Sequence, residues 1–293
     1  LKRIAALFAA TATLLWPATL VEAEVVSRSL VTKIPAYPQR IVSINPCADA
    51  LLMQLADKGQ IASVSHYSHD KRATSISLKL ALQFPATSGT AEEILAMRPD
   101  LVVAGSHVAI PTARALQRLG IPLVKLSIPQ SVAESQEQIG ILSEIVGAPA
   151  RGKQLNRSIS EAFVKAQPTD GQLVPALIWR SGGLVPGDGT LPDELLRRTG
   201  FENVSKSYGL KQWDILPLEH LVARPPRLLF SNGREIAGEA QRDRMLSHPV
   251  IKKLSHRITI SHYPAKLLHC AGPTLIEAVT TLSAARRMLR KHS

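Results

Sequence analysis

At 293 residues and 45% hydrophobic content, the chain is long enough for one large domain or two lobes, and too apolar to be disordered throughout. A formal net charge of +12 first suggests nucleic acid, but the Lys and Arg residues are scattered, with only modest clusters such as Arg286-Arg287 and Arg290-Lys291. The charge therefore reads as a basic surface that favours anionic ligands or an anionic membrane face.

In chain order, Lys2 and Arg3 precede an apolar run over residues 4–20, and Val21-Glu22-Ala23 supplies small residues where a signal peptidase cuts. Residues 1–23 are predicted to be a secretory signal peptide, too short and too poorly flanked for a stable membrane anchor. Export to the periplasm follows, and it argues against a nucleic-acid role. The only cysteines, Cys47 and Cys270, lie far apart. In an oxidising compartment they can pair, but two cysteines make no disulfide scaffold, and free or partly buried thiols are the plainer expectation.

From residue 40 the pattern alternates between strand and helix. Strands are expected at 40–44, 61–65, 101–104 and 122–126, and helices at 49–56 and 114–119. Asn45-Pro46 and Gly105-Ser106 break the first and third strands. Residues 131–146 and 150–166 read as helices with almost no strand signal between them. The second carries Arg151, Lys153, Arg157, Glu161 and Lys165 and is stopped by Pro168. A second α/β unit follows, with strands at 174–179, 227–230 and 258–261 and helices at 191–199 and 274–290. Short apolar strands alternating with helices imply parallel sheets covered on both faces. The predicted organisation is an N-terminal α/β lobe (24–147), a connecting helix (148–170) and a C-terminal α/β lobe (171–293), both lobes Rossmann-like.

The halves contain a related segment. Residues 92–101 align without gaps on 219–228, and Glu, Ala, Pro and Leu coincide at four positions. Each copy reads as a helix with an acidic start, a Pro-marked end and an apolar strand. Two facing lobes of this build put a ligand cleft outside the carboxyl ends of the strands. Trp179 and Arg180 end a strand of the second lobe, where side chains are expected to reach that cleft, and the planar fork of Arg180 suits a carboxylate or catecholate oxygen. His66, His107 and His269 each follow a strand and are further ligand-binding candidates. Direct metal coordination would need several histidines to converge, and no short-spaced pair on one helix supports that. Ser181-Gly182-Gly183 and Gly187-Asp188-Gly189 match neither a phosphate-binding loop nor a nucleophile elbow, and read as turns bordering the cleft. No enzymatic chemistry is expected.

Together, Arg40-Ile41-Val42-Ser43-Ile44-Asn45-Pro46, Ser65-His66-Tyr67-Ser68, the segment 92–101 and the segment 213–226 resemble the class III periplasmic binding proteins. That family delivers siderophores, haem and cobalamin to ABC importers. The resemblance runs from about residue 40 to the C-terminus and rests on the order and spacing of these segments. It implies that Tyr67 lines the cleft, that Trp213 stands at the second lobe's edge, and that Glu92 and Glu219 dock onto arginines of the membrane permease. Helix-end stabilisation alone also accounts for either glutamate: Thr90 and Glu93 fit a capping box around Glu92, and Pro217 suits the first turn before Glu219. At Gly105 and near Ala86-Thr87-Ser88-Gly89, small residues stand where cobalamin-binding members carry tryptophans.

The function expected is that of a monomeric periplasmic solute-binding protein with no resident cofactor. It captures a metal chelate, most simply an anionic ferric siderophore, and hands it to the permease. Cobalamin, haem or free metal on the same fold is the nearer rival; a secreted α/β hydrolase or a receptor subunit is the more distant one.

Overall fold

A computed structural model describes residues 26–28, 34–232, 248–254 and 256–291. The predicted signal peptide lies outside these residues. The chain folds into two α/β lobes, each built on its own sheet.

The N-terminal sheet has six strands: β1 (Val26–Arg28), β2 (Ile41–Ser43), β3 (Ile61–Ser65), β4 (Ala86–Thr87), β5 (Leu101–Gly105) and β6 (Leu123–Leu126), in the spatial order β1-β6-β5-β2-β3-β4. All pairings are parallel except that of β1 with β6. Helices α1 (Pro46–Leu55), α2 (Leu78–Ala81), α3 (Ala91–Ala96), α4 (Ile110–Arg118) and α5 (Val132–Ile145) belong to this half, and α6 (Pro149–Ala166) follows. The second sheet contains β7 (Val174–Trp179), β9 (Phe201–Asn203), β11 (Leu228–Ser231) and β12 (Thr259–His262), all parallel, in the order β12-β11-β7-β9. A separate antiparallel pair joins β8 (Leu184–Pro186) to β10 (Trp213–Ile215). Helices α7 (Leu191–Arg198), α8 (Leu218–Ala223), α9 (Pro249–Lys253) and α10 (Thr274–Lys291) complete the described chain.

Read in chain order, β2, β3, β5 and β6 take the same relative places in the first sheet as β7, β9, β11 and β12 in the second. The repeat has a structural counterpart in register: α3 precedes β5, α8 precedes β11, and the aligned Leu101 and Leu228 each open their strand.

Most boundaries fall within a few residues of those expected from periodicity, and the departures have local causes. The break at Asn45-Pro46 is the start of α1. The Asn45 side chain accepts from the amides of Cys47 (2.9 Å) and Ala48 (3.1 Å), and Pro46 occupies the first turn, where its missing N–H costs nothing. The helix then buries Leu51, Leu52 and Leu55 against Ile41, Val64 and Val103. Strands β1, β4, β8, β9 and β10 were not expected; each is two or three residues long, too short to carry a period-2 signal. Arg286 was grouped with Arg287 as a surface cluster. It is instead buried, paired with Asp170 at 2.9 Å and donating to the carbonyls of Gly200 and Gln172, so it ties α10 to the chain that follows α6.

The lobes do not meet as separate bodies. One apolar cluster runs from Ile41 and Leu52 through Ile139, Leu155, Ile159 and Phe163 to Phe230, Leu275 and Leu282, so α5, α6 and α10 share a core with both sheets. Polar contacts reinforce the seam. Ser135 on α5 accepts from the Gly272 amide at 2.9 Å, Glu194 on α7 accepts from the Val132 amide at 2.8 Å, and Ser75 donates to the Lys266 carbonyl at 3.2 Å. Gly272 suits this position because its φ of +71° is a left-handed conformation that other residues rarely adopt, and a Cβ would also press on the end of the Leu51 side chain.

Across the same seam, Cys47 and Cys270 form a disulfide with their Cα atoms 5.2 Å apart. This corrects the expectation of free thiols. Sequence spacing across 223 residues says nothing about proximity, whereas the fold brings the start of α10 against the start of α1. Reduction, or a paired Cys47→Ser/Cys270→Ser replacement, is expected to lower unfolding stability by about 2–5 kcal/mol. Denaturant titrations with and without reductant measure the difference, and the serine variant should not respond to reductant.

Candidate functional site

The carboxyl ends of β2, β5 and β6 open onto a cleft of about 470 Å³ between the lobes. Residues 44–47, 104–108 and 126–130 form the N-lobe wall, and α7, Trp213 and residues 267–271 form the opposite wall. The volume suits a small-molecule ligand.

Its chemistry is mainly aliphatic. Leu51, Leu126, Ile128, Leu191, Leu195 and Leu268 are among the lining side chains, and Asn45, Ser106, Gln130 and Gln138 supply uncharged polar groups between them. Among the described residues no Asp, Glu, Lys or Arg lines the cleft. The basic charge of the chain is displayed elsewhere, for example on the exposed faces of α4 and α6.

Of the residues singled out in the sequence, Tyr67, His107, Trp213 and His269 line this cleft. Tyr67 is 51% exposed and Trp213 38%, so both rings have faces available to a ligand. Tyr67 rides on a tight helical turn over residues 66–69. His66, on the same turn, is not among the lining residues. Its ring packs on that of Tyr67, with centroids 4.0 Å apart, and its Nδ1 lies 3.2 Å from the Thr87 carbonyl oxygen. Trp213 is delivered by the β8–β10 pair. Gly187 is essential to that pair, because a Cβ there would run into the backbone of Gln212.

Trp179 is placed differently from the expectation. It is 2% exposed and packs with Leu177, Val185, Tyr208, Leu216 and Leu229 in a second core cluster. Strand β7 has neighbours on both edges and both faces, so its last apolar side chain is drawn into the core and not toward the cleft. Arg180, the next residue, stands at the rim with its guanidinium 5.8 Å from the centre of the Trp213 ring, a cation–π arrangement. Burial pushes the pKa of His269 down, nearby Arg180 adds to that, and a hydrogen bond with the Ala73 backbone opposes both. His269 is accordingly held toward its neutral form, able to offer a ring nitrogen as acceptor or ligand.

The loop 127–130, residues 191–192 and residues 267–268 were missed by sequence reasoning. The loop 127–130 was within reach, because the rule that ligands bind beyond strand carboxyl ends applies to β6 as well as to β2 and β5. Gly105 also proves to be sterically set. A Cβ there would lie 2.6 Å from Asn45 Nδ2, and Asn45 is held by its capping bonds. Ala86-Thr87-Ser88-Gly89 does not line the cleft.

Glu92 and Glu219 occupy the first turns of α3 and α8, one in each lobe. Both are exposed, and among the described residues neither takes part in an ion pair or hydrogen bond. The local capping falls to other groups: Thr90 accepts from the Glu93 amide, and the Glu93 carboxylate accepts from Thr87 Oγ1 (2.8 Å) and the Ser88 amide. The capping box is thus half formed, since the Glu93 side chain serves the preceding loop.

The family described as "Periplasmic binding protein" matches this sequence over residues 41–255. The chain belongs to that family. Solved structures give the same architecture: the periplasmic heme-binding protein RhuT of Roseiflexus sp. RS-1 superposes with a TM-score of 0.68 at 21% identity, covering 84% of this chain and 97% of that one. The vitamin B12-binding protein BtuF of Vibrio cholerae does so at 0.64 with 18% identity, covering 88% and 100%. A possible iron-binding periplasmic protein of Staphylococcus epidermidis reaches 0.66 at 17% identity, covering 84% and 98%. Among curated proteins, a cobalamin-binding protein of Halobacterium salinarum is 24% identical over 176 residues, 59% of this chain and 47% of that protein. The chain therefore matches about half the length of that relative. The fold is that of the two-lobe class III periplasmic binding proteins.

The electrostatics of the rim are directly measurable. Replacing Arg180 by Ala should raise the pKa of His269 without carrying it above the ordinary histidine value, since burial persists. An NMR titration of the His269 ring reads this, and an unchanged pKa would show that Arg180 does not act on it.

Proposed function

We propose that this chain is a monomeric periplasmic solute-binding protein that captures a metal tetrapyrrole, haem or a corrinoid, and presents it to an ABC permease. Residues 1–23 are removed on export, 24–147 and 171–293 form the lobes, and 148–170 connects them. The observation that carries this reading is the cleft itself: an aliphatic floor on which no described residue is charged, a phenol ring on one wall and an indole on the other. A wide, apolar, planar macrocycle gains most from such surfaces, through burial and ring stacking. Arg180 at the rim offers a fork for a peripheral carboxylate, and Tyr67, His107 and His269 supply donors for a central metal.

A bare metal ion is less well supported. Among the described residues no group of three or more His, Cys, Asp or Glu side chains is arranged to hold one. A ferric siderophore is the second reading, favoured by the +12 charge of the chain. Among the described residues, the cleft offers such an anion Arg180 at its rim and no charged side chain in its lining. The names of the relatives, which refer to heme, vitamin B12 and possible iron binding, lend support to the class of cargo and do not choose within it.

Capture needs no covalent chemistry. Delivery uses the two exposed carboxylates, Glu92 and Glu219, as paired docking points for permease arginines, an interaction that governs orientation and specificity more than raw affinity.

Two experiments test this. Titrating the mature protein with haemin, cyanocobalamin, a ferric catecholate and a ferric hydroxamate should give saturable quenching of Trp213 by a tetrapyrrole, and Tyr67→Ala should weaken that binding by about tenfold, equivalent to about 1.4 kcal/mol. Saturation by a siderophore alone would replace the ligand. The double replacement Glu92→Ala/Glu219→Ala should bind with wild-type affinity and fail to support import in cells; weakened binding would remove the docking role.

A further inference from the structure

Asp49 is a buried acid on the first turns of α1, directly behind the cleft wall formed by residues 44–47, and is 0% exposed. Its Oδ2 accepts from the Ser65 amide at 3.0 Å and from the Ser68 hydroxyl at 2.6 Å. Those two donors bracket Tyr67: Ser65 caps the turn over residues 66–69 and Ser68 lies within it. The other carboxyl oxygen, Oδ1, is buried without a hydrogen-bond partner. A lone buried acid is an expensive choice where the purpose is only to fill space. Here both of its bonds go to the segment that carries the cleft's N-lobe aromatic ring.

We propose that Asp49 is a positioning residue for ligand capture, clamping the Ser65–Ser68 segment so that Tyr67 is held with its ring in the cleft. The inference rests on the reading that Tyr67 contacts the ligand. It extends that reading to a group that never touches the ligand.

The protonation of Asp49 bears on the stability of this region. Burial pushes its pKa up to about 7, against the opposing pull of the Ser43 and Ser68 hydroxyls and the Ser65 amide. Among the described residues no charged side chain contributes to that shift. The histidines of the turn are engaged outward, His66 with the Thr87 carbonyl and His69 with the Ala81 carbonyl. Because the folded pKa is raised, the protonated acid is the better-tolerated form. Stability from this group is complete below the ordinary carboxylate range and is lost as pH rises through about 7. Burial opposes ionisation, but both clamp bonds are donated to Oδ2 and become charge-assisted when it ionises, so the clamp holds in either form.

The test compares wild type, Asp49→Asn, Asp49→Ala and Ser68→Ala by two readouts: the His66–Tyr67 ring contact followed by NMR, and affinity for haemin and cyanocobalamin. Asp49→Asn keeps an acceptor that cannot ionise. It should hold the ring contact and bind within about threefold of wild type. Asp49→Ala should lose the ring contact and bind on the order of tenfold more weakly. Ser68→Ala removes one of the two bonds without opening the core, and should fall between; it keeps the test decisive if Asp49→Ala fails to fold. Retention of the ring contact and of wild-type affinity in Asp49→Ala or Ser68→Ala would overturn the proposal. If wild type binds neither probe, the tetrapyrrole reading falls, and the ring contact alone then decides for or against the clamp.

Discussion

The seam between the lobes is the constraint on which the rest of the molecule depends. At its centre the Cys47–Cys270 disulfide joins the first turn of α1 to the chain just ahead of α10, and both cysteines also line the cleft. Around it lie the Gly272–Ser135 and Val132–Glu194 hydrogen bonds and an apolar core common to both sheets. Lobes of one chain ordinarily move against each other unless their interface is large and apolar. Here it is apolar, hydrogen-bonded and covalently closed. The cleft floor is therefore a fixed surface, and capture relies on pre-organised walls more than on wide closure.

Pre-organisation shows in how each wall element is held. Asn45 fixes the start of α1 and, through its approach to Gly105, keeps the end of β5 small. The turn bearing Tyr67 is bonded from behind by Asp49, and Trp213 is carried on a two-stranded unit whose close approach requires Gly187. These devices serve a ligand that is recognised by shape and apolar contact. With charge absent from the described lining, there is little directional electrostatic recognition to compensate for a loosely placed ring.

The alternation of strand and helix was readable because parallel strands buried on both faces are short apolar runs, and Leu101-Val102-Val103-Ala104 is a clear instance. The repeat of 92–101 at 219–228 was readable for the same reason, since helix, proline and strand recur in register. Trp179 marks the limit of such reading. A residue at a strand's end can turn toward the cleft or into the core, and only the packing of Leu177, Tyr208 and Leu216 around β7 decides. The disulfide and the buried position of Arg286 were hidden likewise, since each depends on contacts between segments more than a hundred residues apart. Tyr67 and Trp213 came from resemblance to a family, and periodicity had no means of finding them.

The most direct test of the account is a distance measurement across the cleft, with spin labels at Arg114→Cys on α4 and Lys206→Cys near β9, in protein whose disulfide is intact. The fixed-floor account predicts one narrow distance distribution, nearly the same with and without bound ligand. A second, longer population in the ligand-free protein, with the disulfide still intact, would contradict it and would mean that the lobes separate widely despite the seam.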